Sequence, residues 1–171
     1  QKLVQTEDGG LVLAPVDGIL EQFTARRELP LGSSAAAIEA GSAYSYADAF
    51  TCYERFVLTG RFSCSGSGSF GLAFDYNGRE DKYKMISLSP REGKLQLFFN
   101  EGATLIAENT LDIQPEQEYS FTYIQEGSVG VFYLDGQAAL TVRLYGVSGK
   151  PIKLFAESNT VTFSSLRQYT S

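Results

Sequence analysis

Val131-Phe132-Tyr133-Leu134-Asp135-Gly136-Gln137, running on into Leu140-Thr141-Val142-Arg143-Leu144-Tyr145, reads as two strands folded back on each other across an Asp-Gly turn. Aromatic and β-branched residues suit a pleated ladder, and Asp-Gly accepts the positive φ angles that a tight hairpin requires. Leu154-Phe155-Ala156-Glu157 then gives a third strand and Val161-Thr162-Phe163 an outgoing edge. Together they are the closing elements of a β-sandwich.

The same two-residue period runs back through the chain. Phe70, Leu72, Phe74 and Tyr76 alternate with smaller residues, as do Leu95, Leu97 and Phe99, and Tyr119, Phe121 and Tyr123. Such alternation gives short strands with one face inward. Asn77-Gly78, Pro90 to Gly93, Glu126-Gly127 and Ser148 to Pro151 punctuate them as turns. In the less regular N-terminal part, Leu11 to Leu13 and Ile19 to Arg27 are predicted strands, and Ser33 to Ala40 is a strand entering Gly41. About a dozen strands so spaced predict an all-β fold, a two-sheet antiparallel sandwich of the jelly-roll or concanavalin-like kind. No repeat or low-complexity linker divides the chain, so residues 1–171 are expected to form a single domain.

Charge narrows the partners. Fourteen Lys+Arg against 20 Asp+Glu leave a net charge of -6, so no positive field gathers phosphates or anionic lipid, and neither nucleic acid nor membrane is expected as a partner. No apolar run approaches the ~18 residues of a membrane span. A chain opening at Gln1 is expected to be a fragment or a processed product. Cys52 and Cys64 share the parity of Phe56, Leu58 and Phe62. On one continuous strand their sulfurs would lie roughly 40 Å apart, so two buried thiols are expected rather than a disulfide.

The chemistry present is sparse. Without His the chain lacks the commonest general base and metal ligand. Neither a nucleophile elbow nor a phosphate-cradling loop before a helix is visible. Asp17, Glu21 and Asp48 offer oxygen ligands, but in no calcium-loop spacing, so neither a metal nor a cofactor is expected. The chain also has no Trp, the usual flat platform for long crystalline glycans, so a small hydrogen-bonding pocket for a chain end fits its composition better.

Phe62, Gly71-Leu72-Ala73-Phe74, the Val131 to Gly136 strand and turn, Thr141 to Tyr145 and Ser164-Ser165-Leu166 are worded as in a known family of sandwiches. Over about Tyr53 to Tyr169 the chain resembles the fructan-binding carbohydrate-binding module, family 66, of bacterial levanases, and the C-terminal sandwich of glycoside hydrolase family 32. The nucleophile, Arg-Asp-Pro and Glu-Cys segments of the family 32 catalytic domain are absent, so no catalytic residue is assigned. The resemblance implies a non-catalytic, secreted bacterial module that grips the terminal non-reducing fructose of levan-type fructans, or the chain ends of inulin. It also implies a covalently attached fructanase. A second reading is a sandwich that only stabilises a neighbouring glycoside hydrolase domain.

Within that resemblance the richest polar segment is Asp75-Tyr76-Asn77-Gly78-Arg79-Glu80-Asp81-Lys82-Tyr83. Carboxylates accept pairs of vicinal sugar hydroxyls and Arg donates in a planar fork, so Asp75, Arg79, Glu80, Asp81 and Tyr83 are candidate sugar-binding residues. The alternative is a solvated hairpin tip. Glu39, at a strand end before Gly41, and Glu157, beside buried strand positions, are further candidates, each a pocket residue or a rim charge. Tyr44, Tyr46, Tyr76 and Tyr83 either stack on sugar or fill the core.

Overall fold

The computed structural model of the chain describes residues 1–28, 35–75, 83–100 and 103–171. Fifteen strands are seen among them. They are β1 (Lys2–Gln5), β2 (Leu11–Ala14), β3 (Ala25–Glu28), β4 (Ala35–Glu39), β5 (Ser45–Thr51), β6 (Arg55–Cys64), β7 (Phe70–Asp75), β8 (Tyr83–Ser89), β9 (Lys94–Phe99), β10 (Thr104–Thr110), β11 (Tyr119–Glu126), β12 (Val129–Leu134), β13 (Gln137–Arg143), β14 (Pro151–Ala156) and β15 (Thr160–Thr170). One antiparallel sheet runs β10-β9-β8-β7-β14-β5 and the other β13-β12-β11-β6-β15-β3, with β4 also on the β15 edge. The chain is the expected two-sheet antiparallel sandwich.

The Asp135-Gly136 turn joins β12 to β13 with both residues at positive φ, 45° and 79°. Asp135 is anchored as well, its Oδ1 accepting from the Ser120 backbone N–H at 2.8 Å. Between the sheets the apolar parity of each strand converges on one core. Phe56, Leu58 and Phe62 of β6 meet Phe70, Leu72 and Phe74 of β7 and Ile152 and Leu154 of β14, all buried. Phe62 and Phe70 lie edge to face at 5.0 Å, and Phe121 stacks on Phe132 at 5.7 Å. At roughly 25 cal/mol per Å² such rings dominate the apolar gain on folding.

Two local devices fit the sheets together. In β15 the register shifts between Ser164 and Arg167, where Ser165 takes φ 52°. That bulge moves the inward parity from Val161 and Phe163 to Leu166, which fills the space over Gly60; a Cβ on Gly60 would sit 2.4 Å from a Leu166 methyl. Gly71, at the centre of the other sheet, has φ 152°, and a Cβ there would stand 2.0 Å from the Ile86 carbonyl oxygen. No side chain fits.

Two expectations are corrected. Ile19 to Arg27 is not one strand. Gly18 turns the chain at φ 67°, Ile19–Gln22 forms a short 3-10 helix, and Ala25–Glu28 alone pairs with the end of β15. Nor do the cysteines share one strand: β5 ends at Thr51 and β6 begins at Arg55, leaving Cys52 in the crossover between sheets. Both thiols are nonetheless buried and free.

Candidate functional site

The two outward faces differ in chemistry. On the seven-stranded sheet Arg55 pairs with Glu126, Arg61 with Glu118 and Arg167 with Glu28, at half-buried to exposed positions. Such surface ion pairs contribute little. The outward face of the six-stranded sheet instead carries an aromatic cluster. Ala73, Tyr83, Met85 and Phe155 point away from the main core yet are buried, with half-buried Tyr44, Tyr46 and Phe98 packed against them.

Strand parity places the rings. Phe155 stands opposite Tyr46 across β14 and β5, and Gly71 is its neighbour on β7. Tyr44 stacks near Tyr46 with centroids 6.4 Å apart and lies 5.8 Å from Phe155. Tyr46 in turn lies 4.8 Å from Tyr83. The rings form a stripe along the β5 and β14 side of the face. Lys153 Nζ sits 5.9 Å from the Tyr83 ring centre and 3.5 Å from Asp48 Oδ1. Burial lowers the Lys153 pKa, but the Tyr83 hydroxyl, which accepts from it, and the Asp48 carboxylate outweigh that and hold it above the ordinary value.

Across the same face, β9 and β10 supply a polar side. Gln96 is buried and donates from Nε2 to Glu108 at 3.1 Å and to Glu92 at 3.3 Å, while Lys94 Nζ bonds Glu108 at 2.6 Å. The Lys94 bond first, then Gln96, keeps the Glu108 carboxyl below its usual range. Between the ring stripe and this polar side lie the small residues Gly71 and Ser87, which are register partners. The face therefore offers the half-buried Tyr44 and Tyr46 rings on one side and charged hydrogen-bonding groups on the other.

Asp75 and Tyr83 are opposed in register at the ends of β7 and β8. They frame the 76–82 segment, and Tyr76, Arg79, Glu80 and Asp81 lie outside the described residues. Glu157 sits on the same outward face, its backbone N–H bonding the Ser69 carbonyl at 2.8 Å. Its carboxylate accepts from Ser158 Oγ at 2.7 Å. Ser69 and Asp75 are six residues apart, so Glu157 and Asp75 stand about 20 Å apart along the strand at ~3.3 Å per residue. The ring stripe spans that interval. Glu39 lies elsewhere: it pairs with Thr160 while its neighbour Ile38 points into the core, so it is exposed on the outward face of the other sheet. Sequence reasoning gave no role to Phe155, Lys153 or Gln96. The available signal was their outward parity on otherwise apolar strands.

No family model matches the chain, and no curated protein matches it. Among solved structures, the carbohydrate-binding module CBM66 from Bacillus subtilis is 16% identical with a TM-score of 0.61, covering 78% of this chain and 84% of the module. A fructosyltransferase from A. japonicus is 15% identical with a TM-score of 0.63, covering 90% of this chain and 27% of the enzyme. Sucrose-6-phosphate hydrolase from Lactobacillus gasseri is 16% identical with a TM-score of 0.60, covering 98% of this chain and 32% of the enzyme. The chain thus spans most of the module and about a third or less of each enzyme. The likeness expected from the Gly71 to Phe74 and Val131 to Tyr145 segments holds at the level of the fold.

Proposed function

We propose that the chain is a non-catalytic carbohydrate-binding module that recognises the terminal non-reducing fructose of levan-type fructans and holds an attached fructanase on its polymer outside the cell. The observation that carries this reading is the aromatic stripe Tyr44, Phe155, Tyr46 and Tyr83 on an outward sheet face, which leads to Asp75 in a fold shared with a carbohydrate-binding module. The half-buried Tyr44 and Tyr46, backed by the buried Phe155 and Tyr83, can stack on the C–H face of a sugar, and carboxylates beside them can accept its hydroxyl hydrogens. In this reading Asp75, Arg79, Glu80, Asp81 and Tyr83 grip the terminal unit. Glu157 is a second contact at the far end of the stripe, and Glu39, on the outward face of the other sheet, would touch a separate part of the polymer.

One sugar end binds weakly, about 4 to 8 kcal/mol, and a branched polymer with many ends gains by effective concentration. Calorimetry and affinity electrophoresis of the isolated chain against levan, inulin, sucrose and fructose test the reading. Levan is expected to bind more tightly than inulin, and fructose weakly but measurably. Absence of binding to all four overturns it.

A second reading, a sandwich that only steadies a neighbouring glycoside hydrolase domain, is favoured by one observation. On the β1–β2 hairpin, Leu3 and Leu13 are register partners, Leu11 shares their face, and all three are exposed. Apolar side chains grouped on one face of a hairpin suit burial against another domain.

A further inference from the structure

We propose that the cleft framed by Tyr53 and Tyr145 is a second subsite, which takes one neutral sugar ring further along the same glycan from its terminal unit; this rests on the carbohydrate-binding reading above. The cleft has a volume of about 280 Å³, the small end of the range for ligand sites and room for a single ring rather than a peptide or a nucleotide. It lies between the crossover into β6, the β11–β12 turn and the segment after β13.

The lining specifies the chemistry. Tyr145 is 61% exposed and Tyr53 39%, so neither ring is held there by the core, and both present aromatic surface to solvent. Leu144 and Val147, both buried, make an apolar floor. Glu54, Ser128 and Ser148 supply an acceptor carboxylate and two hydroxyls, while Gly127 and Gly146 leave the backbone bare. Rings for a C–H face beside acceptors and hydroxyls match a neutral polyol. Among the described residues no Lys or Arg lines the cleft, so with Glu54 present an anionic ligand is disfavoured.

The walls are fixed in advance. The Gly127 N–H donates to the Glu54 carbonyl at 2.7 Å and the Leu144 N–H to the Ser128 carbonyl at 2.8 Å. Behind them Gln125, almost fully buried, donates from Nε2 to the Gly127 carbonyl at 2.6 Å and accepts from the Tyr123 hydroxyl. A buried amide that ties a surface turn lowers the ordering cost a ligand must meet. Position connects the cleft to the first site: Lys84, next to Tyr83, donates from Nζ to the Tyr145 carbonyl, so the cleft stands at the end of the sandwich where β7 and β8 frame the 76–82 segment.

The test is calorimetry of the full chain and of Tyr145→Ala, Tyr53→Ala and Tyr145→Phe with fructose, a levan-type tetrasaccharide and levan. Tyr145→Ala is expected to weaken the tetrasaccharide and levan about three- to tenfold, the scale of one lost ring contact, with fructose affinity and melting temperature unchanged. Tyr145→Phe, which keeps the ring, is expected to bind like the parent. If both alanine variants bind the tetrasaccharide like the parent, the subsite is wrong and the carbohydrate-binding reading stands. A fructose affinity that falls as much as the tetrasaccharide's also overturns the subsite, because the tyrosine then belongs to the terminal-unit site. If the parent binds none of the three, both readings fall. Should Tyr53→Ala melt lower, Tyr145→Ala decides alone.

Discussion

The Tyr46 and Tyr83 rings stand 4.8 Å apart although their strands, β5 and β8, are separated by β14 and β7. Three strand spacings put the two backbones about 14 Å apart, so the side chains meet by leaning over the sheet. Ala73, buried on the intervening strand β7, leaves them the room. A ring platform is thus made by a methyl group where a larger side chain would stand.

Enlarging that methyl tests the platform. Ala73→Leu is expected to lower stability by about 1–3 kcal/mol, the usual cost of overpacking, and to separate the two rings. Urea denaturation reads the first effect and levan affinity the second. A variant that is as stable as the parent and binds as tightly removes the platform from the site.

The terminal-sugar grip has its own test. Alanine at Asp75, Arg79, Glu80 or Asp81 is expected to lower fructose affinity more than about tenfold, because a charged hydrogen bond is worth about 1.5–3 kcal/mol. Tyr83 is buried, so Tyr83→Phe, which removes only the hydroxyl facing Lys153, is the variant to use there. If all of these bind levan like the parent, the 76–82 segment is a solvated hairpin tip.

Two glycines give opposite expectations. Gly71→Ala places a methyl 2.0 Å from the Ile86 carbonyl oxygen in the middle of a sheet and is expected to cost about 3 kcal/mol or more. Gly41→Ala meets nothing within 4 Å and is expected to be neutral or to stabilise by up to about 1 kcal/mol, through the unfolded chain. Thermal melts of the pair check this, and equal effects would show that the approach at Gly71 is relieved by strand movement.

Stability is expected to fall as pH rises above about 9. Burial pushes the Cys52 thiol up to about 12 from an ordinary 9.0. It also raises Cys64 and, well above its ordinary value, the Tyr123 hydroxyl. Between pH 9 and 12 the unfolded chain has released the Cys52 proton that the folded chain retains. The contribution is therefore complete below pH 9 and is lost above it, at up to about 1.4 kcal/mol per pH unit per group. Lys84, whose ammonium is pushed down by burial, acts in the opposite sense. Urea midpoints at about pH 7 and 10.5 measure the sum, and Cys52→Ala should flatten the slope.

The hairpin leucines separate the two functional readings. Serine at Leu3, Leu11 and Leu13, which are 45% to 64% exposed, is expected to leave the isolated chain's stability within about 0.5 kcal/mol. In a longer protein carrying a glycoside hydrolase domain, the same change is expected to lower the melting temperature if that face is a domain contact.

The sandwich was legible from local pattern alone. Side chains alternate with a period of two whatever lies next to a strand, so Phe70 to Phe74, Tyr119 to Tyr123 and the Asp135-Gly136 turn could be read without knowing their neighbours. The 19–27 segment departs from the strand its apolar parity predicts because the left-handed turn at Gly18 is a backbone event that parity does not report. Which strands share a sheet emerges from long-range pairing. β5 and β8 are far apart in the chain, and only the β8-β7-β14-β5 order brings Tyr46 to Tyr83 and sets Lys153 between Asp48 and a ring. Local pattern fixes which way a side chain points. What it meets there depends on long-range pairing, and so the fold was legible in the sequence while the assembly of the site was not.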